Sequence, residues 1–237
     1  MQTSNLPLLQ AGLKAGGAVV MWEQIMTDAL PEIKRLVPEG SHVLEVGYGD
    51  GILSCYLAKE LGWRIVGIDI SPEAYRKAVE NAARLNLEDR VKFLCCKPEE
   101  TQKHQGEYDA VFIKTVLYYS QNLQEYGRWL DWIISVLKPK GILINFETGR
   151  GNWIVQLYRK LRGREYRNWC LYTKEIEALY DKRFEILYRR YYGGLSQFFA
   201  PVPWLYKIVA RIESAISPRD AENCFAVAII GQKKGGI

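Results

Sequence analysis

From residue 40 to about residue 148 the chain alternates short, almost continuously apolar runs with longer stretches of helical periodicity, and few folds accept that rhythm. The runs are 42–46 (HVLEV), 64–68 (RIVGI), 91–94 (VKFL), 108–113 (YDAVFI) and 141–146 (GILINF). Strands buried on both faces are rich in Val, Ile and Leu throughout, so these runs read as neighbours in a parallel sheet. Between them, Ala74, Ala78, Val79, Ala82 and Leu85 share one helix face behind a Ser71-Pro72 start. Leu123, Tyr126, Trp129, Leu130, Ile133, Ile134 and Leu137 form a second stripe, which stops at a Lys138-Pro139-Lys140-Gly141 turn. The pattern predicts an α/β domain with helices on both faces of the sheet.

The second half reads differently. It is crowded with aromatic and basic residues, and two more strands are predicted, 184–191 and 224–231. Between these two, Ala200-Pro201-Val202-Pro203 precedes a helix with a stripe of Trp204, Leu205, Ile208, Val209, Ile212 and Ile216. Lys207 and Arg211 flank that stripe, as in helices that lie in a membrane interface, but a cap helix covering the active site or a subunit partner has the same pattern. The 237 residues fit a single domain. Within it, 1–40 reads as an N-terminal helical cap, 41–148 as a cofactor-binding half, and 149–237 as a substrate-side half with a helical insertion at about 195–218.

Several function classes are excluded or weakened by composition. The five cysteines, Cys55, Cys95, Cys96, Cys170 and Cys224, include no CxxC pair, and the only histidines are His42 and His104, so no zinc cluster can be drawn and no metal is expected. Neither histidine sits where a strand delivers its carboxyl end, and both read as surface residues. No apolar run approaches the ~20 residues of a membrane span and the N-terminus lacks a secretory pattern, which predicts a soluble, cytoplasmic protein, with peripheral membrane contact left open. A net charge of +5 suits an anionic partner but does not mark a nucleic-acid binder, and none is expected.

The chemistry is concentrated in Val43-Leu44-Glu45-Val46-Gly47-Tyr48-Gly49-Asp50-Gly51, where the first strand passes into a helix over 52–61. Glycines there allow a sharp turn and close approach of a ligand, and the helix start offers free N–H groups. Asp69 ends the second strand about 20 residues later, the place where such folds hold ribose hydroxyls, and Ile70 beside it could pack on a purine. The spacing is G-x-G-x-G, because Ile52 stands where a dinucleotide fingerprint needs its third glycine.

The E-x-G-x-G-x-G loop, the IDIS acid, the strand leading into Lys114-Thr115-Val116-Leu117 and the VLKPKG segment resemble the class I S-adenosylmethionine-dependent methyltransferases in order and spacing across residues 40–148. The resemblance implies a Rossmann-like three-layer αβα sandwich. Its sheet would be seven-stranded and mostly parallel, in order 3-2-1-4-5-7-6 with the last strand antiparallel. It also implies S-adenosylmethionine as methyl donor and S-adenosylhomocysteine as product. Glu45, Gly47, Tyr48, Gly49 and Gly51 would surround the methionine and ribose end, Asp69 the ribose, Ile70 the adenine, and Lys114 the amino-acid tail. After the third strand the family usually carries a Gly-Asp-Ala type sequence whose aspartate touches the adenine amino group. Here the chain reads Cys95-Cys96-Lys97-Pro98-Glu99. Cys96, Lys97 and Glu99 are the candidates at that position, and Pro98 has no N–H to offer.

Methyl transfer is an in-line displacement, so positioning supplies most of the catalysis and a base is needed only where the nucleophile must lose a proton. Glu147 is the candidate base, with a capping or ion-pairing role as its alternative, and Tyr118 and Tyr119 are candidate pocket residues. The absence of an Asn-Pro-Pro-aromatic motif and of metal-binding aspartates favours a small-molecule acceptor, lipid-like or aromatic. A nicotinamide-dependent oxidoreductase and a non-catalytic nucleoside-binding protein are the alternatives.

Overall fold

The computed structural model describes residues 6–13, 19–98, 100, 106–161, 170–199, 202–216 and 220–235. Seven strands form one sheet: β1 (His42–Val46), β2 (Arg64–Asp69), β3 (Val91–Cys95), β4 (Tyr108–Lys114), β5 (Leu137–Thr148), β6 (Phe184–Tyr192) and β7 (Ala226–Lys233). Their order is β3-β2-β1-β4-β5-β7-β6, with β7 antiparallel to both β5 and β6 and the remaining pairs parallel. This is the Rossmann-like arrangement expected of the sequence. The reversal at β1 sends β2 to one side and β4 to the other, and that switch point is where open α/β sheets bind ligands.

The helices are α1 (Leu6–Leu13), α2 (Val19–Leu36), α3 (Ile52–Leu61), α4 (Pro72–Arg84), α5 (Leu123–Val136), α6 (Trp153–Leu161), α7 (Lys174–Arg183) and α8 (Pro203–Ile216). Two apolar cores lie on opposite faces of the sheet. One joins α1, α2, α3 and α4 to it through residues such as Leu13, Ile25, Tyr56 and Ala78. The other joins α5 and α7 through Tyr126, Leu130, Ile133 and Tyr180. α4 begins as its sequence demands: Ser71 accepts from the N–H of Ala74 at 3.2 Å and Pro72 takes the first helical position.

Two details depart from the sequence reading, and a third resolves a point that it left open. The Lys138–Gly141 stretch is not a separate turn before β5 but an excursion within it, because the ladder pairs Tyr108 with Leu137 and resumes at Ala110 with Ile142. Lys140 absorbs that excursion with a φ of 63°. Val79, placed on the buried face of α4, is exposed, and Ala78 and Ala82 alone are fully buried there. The stripe of α8, which the sequence left open between an outward face and a cap over the site, faces outward. Tyr206 and Glu213 anchor the helix inward, while Trp204, Ile208 and Ile212 are 64%, 48% and 56% exposed. Glu213 takes the inner face because its carboxylate accepts the backbone N–H and the hydroxyl of Ser196, at 3.1 and 2.7 Å. A buried charge with matched donors outcompetes an apolar stripe for that face.

Gly51 carries much of the packing between these elements. It has a φ of 72°, and a Cβ there would stand 2.7 Å from both the Ala78 Cβ and the Phe93 ring. Gly40 has a similar φ of 80° with nothing within 4 Å. Gly51→Ala should therefore cost more than Gly40→Ala, by about 1–3 kcal/mol, since overpacking is added to the shared backbone strain. Urea unfolding of the two variants measures the difference, and equal midpoints would contradict it.

Candidate active site

The carboxyl ends of β1, β2, β3 and β4 open onto one cavity of about 680 Å³. Its wall includes Gly12 of α1, the β1 turn, Ile68, Asp69, Ile70, Cys96, Lys97, Pro98, Lys114, Thr115, Val116, Tyr119, Ser120, Glu125 and Trp129. A volume of this order suits a nucleoside-sized ligand.

The turn after β1 is built by glycines for two different reasons. A Cβ on Gly47 would stand 2.4 Å from Val116, so this glycine lets the β4 loop close onto the β1 loop. Gly49 has nothing within 4 Å of its missing Cβ and is the point where a ligand can lie against bare backbone. Asp69 ties this turn to the next helix: its Oδ2 accepts the Gly49 N–H at 3.0 Å and its Oδ1 the Ser71 N–H at 3.0 Å. Ile70 beside it is 71% exposed, an apolar side chain on the rim.

Most of the residues singled out in the sequence converge here: Glu45, Gly47, Tyr48, Gly49, Asp69, Ile70, Cys96, Lys97, Lys114 and Tyr119 all line the cavity. Tyr48 does so without offering its ring, which packs on Phe93 at 4.7 Å and donates its hydroxyl to the Leu94 carbonyl at 3.2 Å. Gly51, Tyr118 and Glu147 are not on the wall. Gly51 packs behind it, and Tyr118 stacks on Tyr119 at 4.3 Å. Glu147 is fully buried. Its Oε1 accepts the Thr148 N–H at 2.9 Å, and the N–H groups of Leu117 and Tyr118 point at the same carboxylate. Glu99 and His104 lie outside the described residues, as do the side chains of Lys207 and Arg211. His42 starts β1 at the opposite edge of the sheet, where its N–H meets Asp109 at 2.8 Å.

The sequence reading missed Gly12, Ser120, Glu125 and Trp129. Gly12 touches α3 so closely that a Cβ would stand 2.8 Å from the Leu53 nitrogen, and nothing local predicts that contact. Glu125 and Trp129 had a signal in the spacing Asn122-x-x-Glu125, which opens α5 as a capping box and puts Trp129 one turn on, whereas Ser120, just before it, had none.

A family described as "Methyltransferase domain" matches residues 43–141, the segment that builds this cavity. Over residues 43–141 the chain is thus similar to a methyltransferase domain. Among curated proteins, the ubiquinone/menaquinone biosynthesis C-methyltransferase of Rickettsia massiliae is 29% identical over 136 residues, 54% of this chain and 54% of that protein. The erythromycin 3''-O-methyltransferase of Saccharopolyspora erythraea is 31% identical over 109 residues, 45% of this chain and 34% of its own length. The chain thus spans about half the length, or less, of the curated relatives it matches. A solved methyltransferase from Methanosarcina mazei shares the fold at a TM-score of 0.63 and 24% identity, covering 86% of this chain and 97% of that one.

Three titratable groups, Glu45 and Lys114 on the cavity wall and Glu147 behind it, are coupled to one another. Burial pushes the Glu45 carboxyl up to about 7, with the Ser54 hydroxyl and the Lys114 ammonium pulling it back. Burial pushes Glu147 up to about 8 against the pull of the three N–H groups and Lys114. Lys114 interacts with both, its ammonium stands 5.1 Å from the Trp22 ring centre, and burial lowers its pKa although both acids oppose that. Both acids hold their protons more tightly folded than unfolded, where a glutamate titrates near ~4.3. A folded state that binds more protons loses stability as pH rises, so the ligand-free domain should weaken from about pH 4.5 upward. Between pH 7 and 8 Glu147 carries the larger share of the remaining titration, while Glu45 loses the last half of its proton. Glu147→Gln should flatten the decline in that window, by up to about tenfold in the folding equilibrium per pH unit. Chemical denaturation at pH 7 and 8 checks this; a wild type with no slope there would contradict it.

Proposed function

We propose that the protein transfers a methyl group from S-adenosylmethionine to a small-molecule acceptor, lipid-like or aromatic. One observation carries the reading. Glu45 Oε2 is buried on the cavity wall without a hydrogen-bond partner among the described residues, a group that a ligand ammonium would satisfy. The methyl donor fits this wall because it offers an ammonium for Glu45, ribose hydroxyls for Asp69 and a purine face for Ile70. Bound there, it supplies an electrophilic methyl group on a sulfonium centre.

The residues of the chain then work by placement. The bare backbone at Gly49 lets the donor lie close, and Glu45 and Asp69 fix its two ends. Lys114, beside Glu45, favours the charged carboxylate once an ammonium arrives. Cys96 and Lys97 border the purine end and Tyr119, backed by Tyr118, the acceptor side. Glu147 serves in this reading as the buried pin of the Leu117–Tyr119 turn, because it has no face on the cavity from which to take a proton.

The lipid-like acceptor is supported by α6 and α8. β6 runs parallel to β5, since both oppose β7, so α6 after β5 and α8 after β6 both leave the edge of the sheet that carries the cavity. On α6, Trp153, Leu157 and Leu161 are 72%, 49% and 78% exposed, matching the outward stripe of α8. Burying such side chains in a bilayer surface brings on the order of 1–2 kcal/mol each, and the net charge of +5 favours anionic lipid. Among the described residues no helix is long and apolar enough to cross a membrane, so any contact of these helices would be peripheral.

Two experiments test the proposal. Calorimetric titration should find S-adenosylhomocysteine binding that weakens at least tenfold, about 1.4 kcal/mol, in Asp69→Ala. Binding of NADH alone would overturn the methyl-donor reading in favour of an oxidoreductase. In the second, the protein should sediment with phosphatidylglycerol vesicles and a Trp204→Ser, Ile208→Ser, Ile212→Ser triple variant should stay in solution. A wild type that ignores vesicles would remove the membrane part of the reading.

A further inference from the structure

The wall of the cavity formed by α5 carries polar groups that the roles above leave unused. On the opposite side, the described residues from Cys95 to Pro98 have little to offer a purine edge. The Cys96 N–H is spent on the Asp69 carbonyl at 3.0 Å, the Cys95 thiol points to the Ile70 carbonyl at 3.8 Å, and Pro98 has no N–H. Lys97 is a donor without acceptor capacity. Among the described residues from Cys95 to Pro98 there is therefore no side-chain carboxylate for an exocyclic amine.

α5 and the turn that leads into it supply what those residues lack. Ser120 is 2% exposed, lines the cavity, and its hydroxyl has no hydrogen-bond partner among the described residues. A buried hydroxyl left unpaired is costly, and one on a cavity wall is satisfied by a ligand. Glu125 lines the same wall and is held by a reciprocal cap: its N–H donates to Asn122 Oδ1 at 2.9 Å and its Oε2 accepts the Gln121 N–H at 2.8 Å. The cap fixes the carboxylate and occupies Oε2, while Oε1 has no partner among the described residues. Trp129, one turn further on, lines the same cavity as Ile68, near the end of β2, and Cys96 and Lys97, just after β3. The α5 wall therefore shares one cavity with Asp69 and Ile70, where a purine would sit.

We infer that Ser120 and Glu125 read the amino-pyrimidine edge of adenine, with Trp129 as the apolar wall beside it, in place of the aspartate missing after β3. The inference rests on the methyl-donor reading and gives the donor's base a recognition site of its own. The pairing is complementary. Glu125 accepts from the exocyclic N–H, and the Ser120 hydroxyl donates to the ring nitrogen next to it. Hypoxanthine reverses both positions, with a carbonyl oxygen facing Glu125 and an N–H facing Ser120.

Calorimetry with S-adenosylhomocysteine and its deaminated counterpart, S-inosylhomocysteine, tests this on the wild type, Ser120→Ala, Glu125→Gln and Asp69→Ala. Glu125→Gln keeps the helix cap but adds an amide donor that suits the inosine carbonyl. The wild type should prefer the adenosyl compound at least tenfold, Glu125→Gln should cut that preference to about threefold or less, and Ser120→Ala should weaken the adenosyl compound by about tenfold. Thermal melts check that each variant is folded. Equal wild-type affinity for the two compounds, or variants that weaken both alike, would overturn the inference. If Asp69→Ala still weakens S-adenosylhomocysteine in that case, the methyl-donor reading survives without it. A folded wild type that binds neither compound would sink both.

Discussion

The chain can reverse between β1 and α3 only because Gly47, Gly49 and Gly51 all adopt left-handed backbone, with φ of 75°, 57° and 72°. Each then admits a different neighbour. The space at Gly47 is filled by Val116 of the β4 loop and the space at Gly51 by Ala78 and Phe93, whereas the space at Gly49 stays open. A side chain at the first would push the β4 loop off the cavity, and at the third would lift α3 from α4 and β3. The position of nearly every other residue on the wall follows from this turn. Asp69 reaches it through the Gly49 N–H, and Tyr48 is driven inward over Gly67, where a Cβ would stand 2.8 Å from its ring.

Beneath the turn, the coupled set of Glu45, Lys114 and Glu147 is costly for a folded chain. Carboxyl groups pushed to about 7 and about 8 are carried at the expense of stability at neutral pH. The two acids differ in what they face. Each keeps one buried oxygen without a partner among the described residues, but Glu147 sits behind the turn that presents Tyr118 and Tyr119, while Glu45 lines the cavity. A site that holds a destabilised acid ready for a cationic ligand recovers that cost on binding, so ligand affinity and pH-dependent stability are coupled through one residue.

Around the cavity the fold spends its second half on surfaces rather than on core. α6 and α8 both start from the ligand-bearing edge of the sheet and both turn large apolar side chains outward. Each is anchored by a polar residue on its inner face: Arg159 on the carbonyls of Gly149 at 3.2 Å and of Arg150 at 2.6 Å, and Glu213 on Ser196. Charged anchors inside and tryptophans outside reverse the usual order of a surface helix, and exposed stripes of this kind mark interaction surfaces.

The sequence by itself determined the sheet, its strand order by resemblance, the glycine turn and the acid after β2. These are local: a period, a cap or a glycine at a fixed offset reports them within a few residues of chain. It also determined that α5 and α8 are helices with an apolar stripe, but not which way α8 would face. Burial of Glu213 against Ser196 decides that, and it depends on a loop packed 17 residues away. Only the tertiary structure withdrew Glu147 and Gly51 from the cavity wall and brought Gly12, Ser120 and Trp129 onto it. Whether a strand-end carboxylate faces a ligand or the backbone of the next loop is set by where that loop folds back. Sequence period gives the side of an element that is buried, whereas a cavity is the space left between elements from distant parts of the chain, and its walls exist only once they have packed.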